Sequence, residues 1–200
     1  MQTRSLALGA FGAFAFAATT SAAVITFSQQ NVWSAYAAFQ NLTVVTEDFN
    51  SITDGFYFSA TGSVGGIDWT GSAAGGIYVQ SGLFSTNNPT SVTFQFSPGV
   101  QAVAGNFFGT DISFNAVPSL VQVTLADGTS TILLANGPAD FSGFFSTGAA
   151  ISSLTVTAAS GSTVYPTVDN LYFAVPIPAP GAAALIGLAA VATRRRRDVA

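Results

Sequence analysis

The sequence contains no cysteine, no histidine and no lysine. Without cysteine there can be no disulfide, no thiolate metal site and no thiol nucleophile. Without histidine as well, the usual zinc ligand sets cannot form. The Ser-His and Cys-His pairs of nucleophilic catalysis and the lysine Schiff base are likewise excluded. No glycine-rich loop ends in Lys-Ser or Lys-Thr, so a phosphate-binding loop of that kind is absent. No Asp-Thr-Gly or Asp-Ser-Gly occurs, so the aspartic protease signature is missing. Charge itself is scarce, at 7% of residues. Basic side chains are confined to Arg4 and to Arg194, Arg195, Arg196 and Arg197, which leaves none between Val24 and Thr193. Nucleic acid is therefore excluded as a partner, because phosphate neutralisation needs Lys and Arg.

The acids are spread through the cation-free region: Glu47, Asp48, Asp54, Asp68, Asp111, Asp127, Asp140 and Asp169. A divalent cation is the natural counter-charge where such carboxylates cluster. Two carboxyl groups roughly 5–10 Å apart are also the minimum equipment of a glycoside hydrolase. Glu47 or Asp48 with another Asp would have to serve, and no local motif singles out a pair. The chain therefore reads as non-enzymatic, with carboxylate-type glycoside hydrolysis as a distant alternative. Asp127-Gly128 and Asp54-Gly55 are read as turns.

What the sequence has in abundance is apolar and small-residue content: 49% hydrophobic residues, 18 Phe and 20 Gly in 200 residues. Few charges with many aromatic and β-branched residues argue for a packed core rather than disorder. Residues 1–23 carry the marks of a secretory signal peptide: Arg4, an apolar run from Leu6 to Ala18, then small residues with Ser21 and Ala23 at the −3 and −1 positions. Cleavage is expected between Ala23 and Val24. Residues 24–174 leave room for one domain of ordinary size.

Within that domain, Val24–Ser28 suggests a short strand. Asn31–Gln40 is the one internal helix candidate, capped by Asn31, with Val32, Tyr36 and Phe39 on the face toward the core. From Thr43 onward the periodicity is two. Ser91–Ser97 alternates strictly and places Val92, Phe94 and Phe96 together. Val121, Val123 and Leu125 do the same, and Asp127-Gly128 turns the chain into a hairpin with Thr129–Leu134. Leu154 and Val156 alternate again, and Thr163–Phe173 closes the domain. Weaker strands are expected near Thr43–Phe49, Gly55–Ala60, Gly66–Thr70, Ile77–Gln80 and Val100–Phe108. The glycine-rich runs Gly62–Gly66 and Gly71–Gly76 are read as loops. Many short strands with frequent turn signals predict an all-β, single antiparallel β-sandwich of jelly-roll type, with one short N-terminal helix. Trp33, Trp69, Tyr57, Tyr78 and Tyr165 could each pack in the core or stack on sugar rings. Asn41-Leu42-Thr43 matches a glycosylation acceptor.

The C-terminal segment, residues 175–197, has three parts. Val175, Pro176, Pro178 and Pro180 belong to a hinge over 175–180, expected to be an extended spacer outside any ladder. Residues 181–193 are apolar, and Arg194–Arg197 follow. A spanning helix needs roughly twenty apolar residues, so this is a marginal span. By the positive-inside rule the arginines would hold the C-terminus in the cytoplasm.

This order of signal peptide, Ser/Thr/Gly-rich β domain, Val-Pro-x-Pro hinge, Ala/Leu/Gly segment and arginine cluster resembles the PEP-CTERM family. Ile177 stands where that family's name motif has Glu. The resemblance implies sorting to the cell envelope or surface, with an exosortase-type membrane transpeptidase acting at the hinge. It implies extracellular polysaccharide as the surrounding material, and a non-catalytic surface or matrix role. The stretch Thr46–Phe49 and the closing Val168–Phe173 are also similar to jelly-roll carbohydrate-binding modules. That likeness implies a structural Ca²⁺ shared by Glu47, Asp48 and Asp169; solvated strand-end acids are the alternative. Polysaccharide binding is the second functional expectation.

Overall fold

The computed structural model describes residues 23–159 and 163–176. The Met1–Ala22 part of the expected signal peptide lies outside the described residues, as do Pro178, Pro180, the apolar 181–193 segment and Arg194–Arg197. Strands β1 (Val24–Phe27) and β2 (Leu42–Glu47) flank the helix α1 (Gln30–Phe39). Then come β3 (Gly55–Val64), β4 (Ile67–Gln80), β5 (Leu83–Thr86), β6 (Val92–Phe96) and β7 (Ala102–Thr110). The last six are β8 (Ala116–Val117), β9 (Ser119–Leu125), β10 (Ser130–Ala135), β11 (Phe141–Ser146), β12 (Ser153–Ala158) and β13 (Tyr165–Pro176).

Every pairing is antiparallel. The strands form one continuous sheet in the order β1-β11-β7-β13-β5-β4-β6-β12-β9-β10, with β2 added on β13, β3 on β4 and β8 on β7. The sheet folds back so that β7 packs over β9 and β12. A hydroxyl bond between Thr131 and Ser142, at 2.7 Å, ties β10 to β11 and nearly closes the ends. The result is the expected all-β antiparallel sandwich.

The period-two segments behave as expected. Val92, Phe94, Val121, Val123, Leu154 and Val156 are fully buried between the layers. In the β9–β10 hairpin the Thr129 N–H donates to Asp127 Oδ1 at 2.9 Å, and Gly128 takes φ +88°. An aromatic cluster of Phe49, Trp69, Phe84 and Phe94 fills the centre, with Phe84 and Phe94 centroids 4.9 Å apart.

The helix forms one residue early and shows a different face. Val32 and Phe39 are 48% and 78% exposed, while Trp33 and Ala37 are fully buried. The spacing is still i, i+4, rotated by one residue. What sets it is Gly143 on β11: a Cβ there would meet Trp33 Cδ1 at 2.7 Å, so the missing side chain admits the indole. The Trp33 indole N–H donates to the Phe144 carbonyl at 3.3 Å. Asn31 is not the cap; Gln29 takes that place without a side-chain bond. Asn41, at φ +57°, ends the helix in the left-handed region.

Two further expectations are corrected. Gly71–Gly76 is not a loop but the middle of β4, which is one strand rather than two. Gly71 lies directly beneath Phe84 and Phe94, with room for no Cβ. Gly75 and Gly76, at φ +87° and +88°, make the corner where β4 changes partner from β6 to β5. At the far end, Val175 and Pro176 do join a ladder: they pair with Thr43 and Leu42 of β2. Proline is tolerated there because it is the last residue of the strand.

Candidate functional site

The three expected calcium ligands separate into a buried Glu47, an exposed Asp48 and a half-buried Asp169. Glu47 is only 8% exposed and points inward. Its Oε1 accepts the Phe49 N–H and its Oε2 the Trp69 indole N–H, both at 2.9 Å. Both oxygens are therefore engaged by the core. Asp48, the next residue in an extended strand end, faces the other way and accepts the Asn50 N–H at 3.1 Å. The Asn50 hydrogen bonds hold the Asp48 carboxyl below its ordinary range. Asp169 sits in the bulge between Val168 and Leu171 on β13, where the register with β7 shifts. Burial first, and then the charge of Asp48, push its carboxyl upward. Asp48 and Asp169 thus form a mutually repelling pair. Among the described residues no group of three or more acids is placed to hold a metal ion.

The aromatic candidates divide by burial. Trp33 and Trp69 are core residues. Tyr57 donates its hydroxyl to the Thr53 carbonyl at 2.6 Å, bracing the β3 entry. Tyr78 and Tyr165 instead come together at one end of the sandwich, where they line a cleft of about 250 Å³. Alternation along β4 explains Tyr78: Ile77 and Val79 are fully buried, so Tyr78 between them projects outward.

The opposite wall is the loop Asp111–Asn115, which no sequence reading singled out. It closes on itself. Asp111 Oδ1 accepts the Ser113 and Asn115 N–H groups at 2.8 and 3.0 Å, and Oδ2 accepts the Asn115 side-chain amide at 3.0 Å. The Asn115 bonds keep the Asp111 carboxyl below its ordinary range, so it is an anion into the acid region. The loop holds Phe114 in the left-handed region at φ +63°, with its ring 5.9 Å from that of Tyr78. A bulky residue there is strained, and such strain persists only where the surroundings enforce it.

Behind the cleft, Thr110, Thr167 and Ser85 form a buried chain of hydroxyls with 2.8 Å links. Thr86, also lining the cleft, is 3% exposed and its hydroxyl has no hydrogen-bond partner. A second depression of about 470 Å³ shares Asp111, Ile112 and Tyr165 as a wall and continues over Val117 and Pro118. Asp111 is the one acid among the described residues lining either space. The paired carboxylates of glycoside hydrolysis are therefore not assembled in this cleft.

Strand β13 relates this cleft to Val24 and Pro176. Tyr165 is its first residue and Pro176 its last. Eleven steps of extended chain put them about 35 Å apart. Val24 lies at the Pro176 end, since Val24 pairs with Ser146, Phe145 with Ala102, and Val103 with Phe173. The carbonyl of Ala23 accepts the Thr147 N–H and hydroxyl at 3.0 and 2.9 Å, so the expected cleavage junction is docked at that same pole. Fold and cleft together define a cation-free antiparallel sandwich with an aromatic-walled cleft at the pole opposite Val24 and Pro176. No family model matches the chain, and no curated protein matches it. Among the described residues no helix is long and apolar enough to cross a membrane.

Proposed function

We propose that this chain is an exported, non-catalytic cell-surface or extracellular-matrix protein, associated with exopolysaccharide and sorted by its C-terminal segment. Residues 1–23 direct export and are removed at Ala23–Val24. The segment from Val175 through Arg197 is read by an exosortase-type membrane enzyme of the PEP-CTERM system, with Ile177 in place of the usual Glu. The observation that supports a display role is the polarity of the sandwich. The chain enters at Val24 and leaves at Pro176 on one pole, so a tail held at the membrane leaves the far pole free. A surface without cations between Val24 and Thr193 suits a hydrated, polysaccharide-rich surrounding and not an anionic one. The Asp48–Asp169 pair is the place where Ca²⁺ would be held, with carbonyl and water oxygens completing its shell.

Expression of the full-length chain in an exosortase-bearing host, followed by fractionation and N-terminal sequencing, tests this. The expected outcome is a mature chain beginning at Val24 in the envelope or surface fraction. Removing residues 177–200 should shift it to the periplasm or medium. A full-length chain that keeps Met1 and stays in the cytoplasm would overturn the reading.

A further inference from the structure

We infer that the cleft between Tyr78, Phe114 and Tyr165 is a binding site for an uncharged polysaccharide. Four observations converge on it. First, it presents aromatic faces on two walls contributed by strands β4 and β13 and by the Asp111–Asn115 loop. Rings in that arrangement offer apolar, electron-rich faces to the C–H faces of a pyranose. Second, polar residues line it beside the rings: Asn87, Gln80 and Asp111. A few convergent polar groups among apolar walls are what a small-ligand site requires.

Third, the floor beside Tyr78 is fixed in advance. Ser85, the cross-strand neighbour of Tyr78, lines the cleft and accepts from Thr167, which is bonded in turn to Thr110, each link at 2.8 Å. A site that is already ordered costs less to fill. Fourth, the Phe114 ring is positioned by a strained backbone at φ +63°. The Asp111 carboxylate enforces that strain through the Ser113 and Asn115 N–H groups. That backbone sets the Phe114 ring 5.9 Å from the ring of Tyr78.

Charge selects the class of glycan. Asp111 is a fixed anion at the rim, and between Val24 and Thr193 there is no cation to offset it. Polyuronates, sulfated glycans and nucleic acid are therefore repelled, and a neutral chain is not. The shared wall of Asp111, Ile112 and Tyr165 joins the cleft to the adjoining depression, so the site accepts a chain running across it rather than a single terminal sugar. The cleft pole is about 35 Å from Pro176 along β13. A chain tethered by its tail would present this site outward.

This inference builds on the exopolysaccharide-associated reading above, and purified protein tests it independently of sorting. Full-length chain in a zwitterionic detergent without a sugar headgroup is run in native gels containing dextran, galactomannan or mixed-linkage β-glucan, and in gels containing alginate. The expected result is retarded migration in at least one neutral gel and none in alginate. Tyr78→Ala and Phe114→Gly should each weaken that retention about tenfold or more, as loss of a central aromatic contact does. Glycine accepts φ +63°, so Phe114→Gly should keep the wild-type melting temperature while losing binding. Phe39→Ala, on an exposed ring of α1 close to the Leu42–Pro176 pairing at the other pole, should leave retention unchanged. Retention in no neutral gel, stronger retention in alginate, or unaltered retention by Tyr78→Ala and Phe114→Gly would each overturn the site. Failed retention with correct surface sorting strikes the cleft alone; intact retention with failed sorting strikes the surface reading alone.

Discussion

Removing the Glu47 carboxyl should cost more than any surface acid could. Glu47 sits at the end of β2, opposite Leu171 of β13, and bridges the Phe49 backbone and the Trp69 indole, both at 2.9 Å. Phe49 is fully buried and Trp69 is 2% exposed, so neither N–H can turn to solvent. Glu47→Ala leaves both donors unpaired. Each buried unpaired donor costs about 1–3 kcal/mol, so the sum is about 2–6 kcal/mol. For a domain of this size that lowers the melting temperature by roughly 6–18 °C, at about 3 °C per kcal/mol. Glu47→Gln keeps one acceptor but turns an amide N–H₂ toward the other donor, so about 1–3 kcal/mol is expected. Thermal and urea unfolding of the full-length variants gives the numbers. The two roles open to Glu47 separate in the same assay. A hydrogen-bond clamp loses equal stability in EDTA and in millimolar Ca²⁺, whereas a calcium ligand loses it only in Ca²⁺. A loss under about 1 kcal/mol, or one confined to Ca²⁺, refutes the clamp.

The remaining predictions concern the bulge and the core. The Asp169 carboxyl is raised above its ordinary value of 3.8 by burial and then by Asp48. The folded chain therefore binds that proton more tightly than the unfolded chain, and stability falls as pH rises from 3.8 through the raised value. Asp169→Asn removes this penalty: its melting temperature should exceed wild type at pH 7 and converge with it at pH 3, and a gain persisting at pH 3 would refute the assignment. Gly71→Ala would press a Cβ to 2.9 Å from Phe94 Cε1 and closer still to Phe84. Overpacking there should cost about 1–3 kcal/mol in urea unfolding, and a neutral result would mean the aromatic cluster can yield.

Alternation made most of the sandwich legible, and it failed where a strand is covered on both faces. Strand β11, Phe141-Ser-Gly-Phe-Phe-Ser146, has no polar face to announce it, because the sandwich core lies on one side and α1 on the other. Every residue of it is buried, as is every residue of β7. Period two is a signal of half-burial, and these strands are not half-buried. The helix shows the same limit. Its apolar positions outnumber one face, and which of them turns inward is decided by the absent side chain at Gly143, more than a hundred residues away. In β4 the glycines suggested a loop because glycine is common in loops. Their cause is instead a close approach at Gly71 and a change of partner at Gly75-Gly76.

The cleft was legible only in pieces, and the reason lies in its construction. Tyr78 comes from β4, Thr86 and Asn87 from the end of β5, Phe114 from the loop after β7, and Tyr165 from the start of β13. No local motif spans them. Parity along β4 nevertheless carries real information about the aromatics. Trp69, Gly71, Ile77 and Val79 are all buried, while Asp68, Tyr78 and Gln80 are exposed. The inward parity survives the glycine corner, so Trp69 and Tyr78, nine residues apart, must lie on opposite faces. The same rule assigns Glu47 and Asp48 to opposite sides of β2's end, so Glu47 turns into the core and Asp48 toward Asp169 of the β13 bulge. Phe114 alone has no such rule. Its place follows from Asp111 and Asn115, whose spacing lets one carboxylate collect both backbone and side-chain donors and force the ring outward onto Tyr78. An acid used to shape a loop is thus what sets a bulky ring in the left-handed region beside Tyr78.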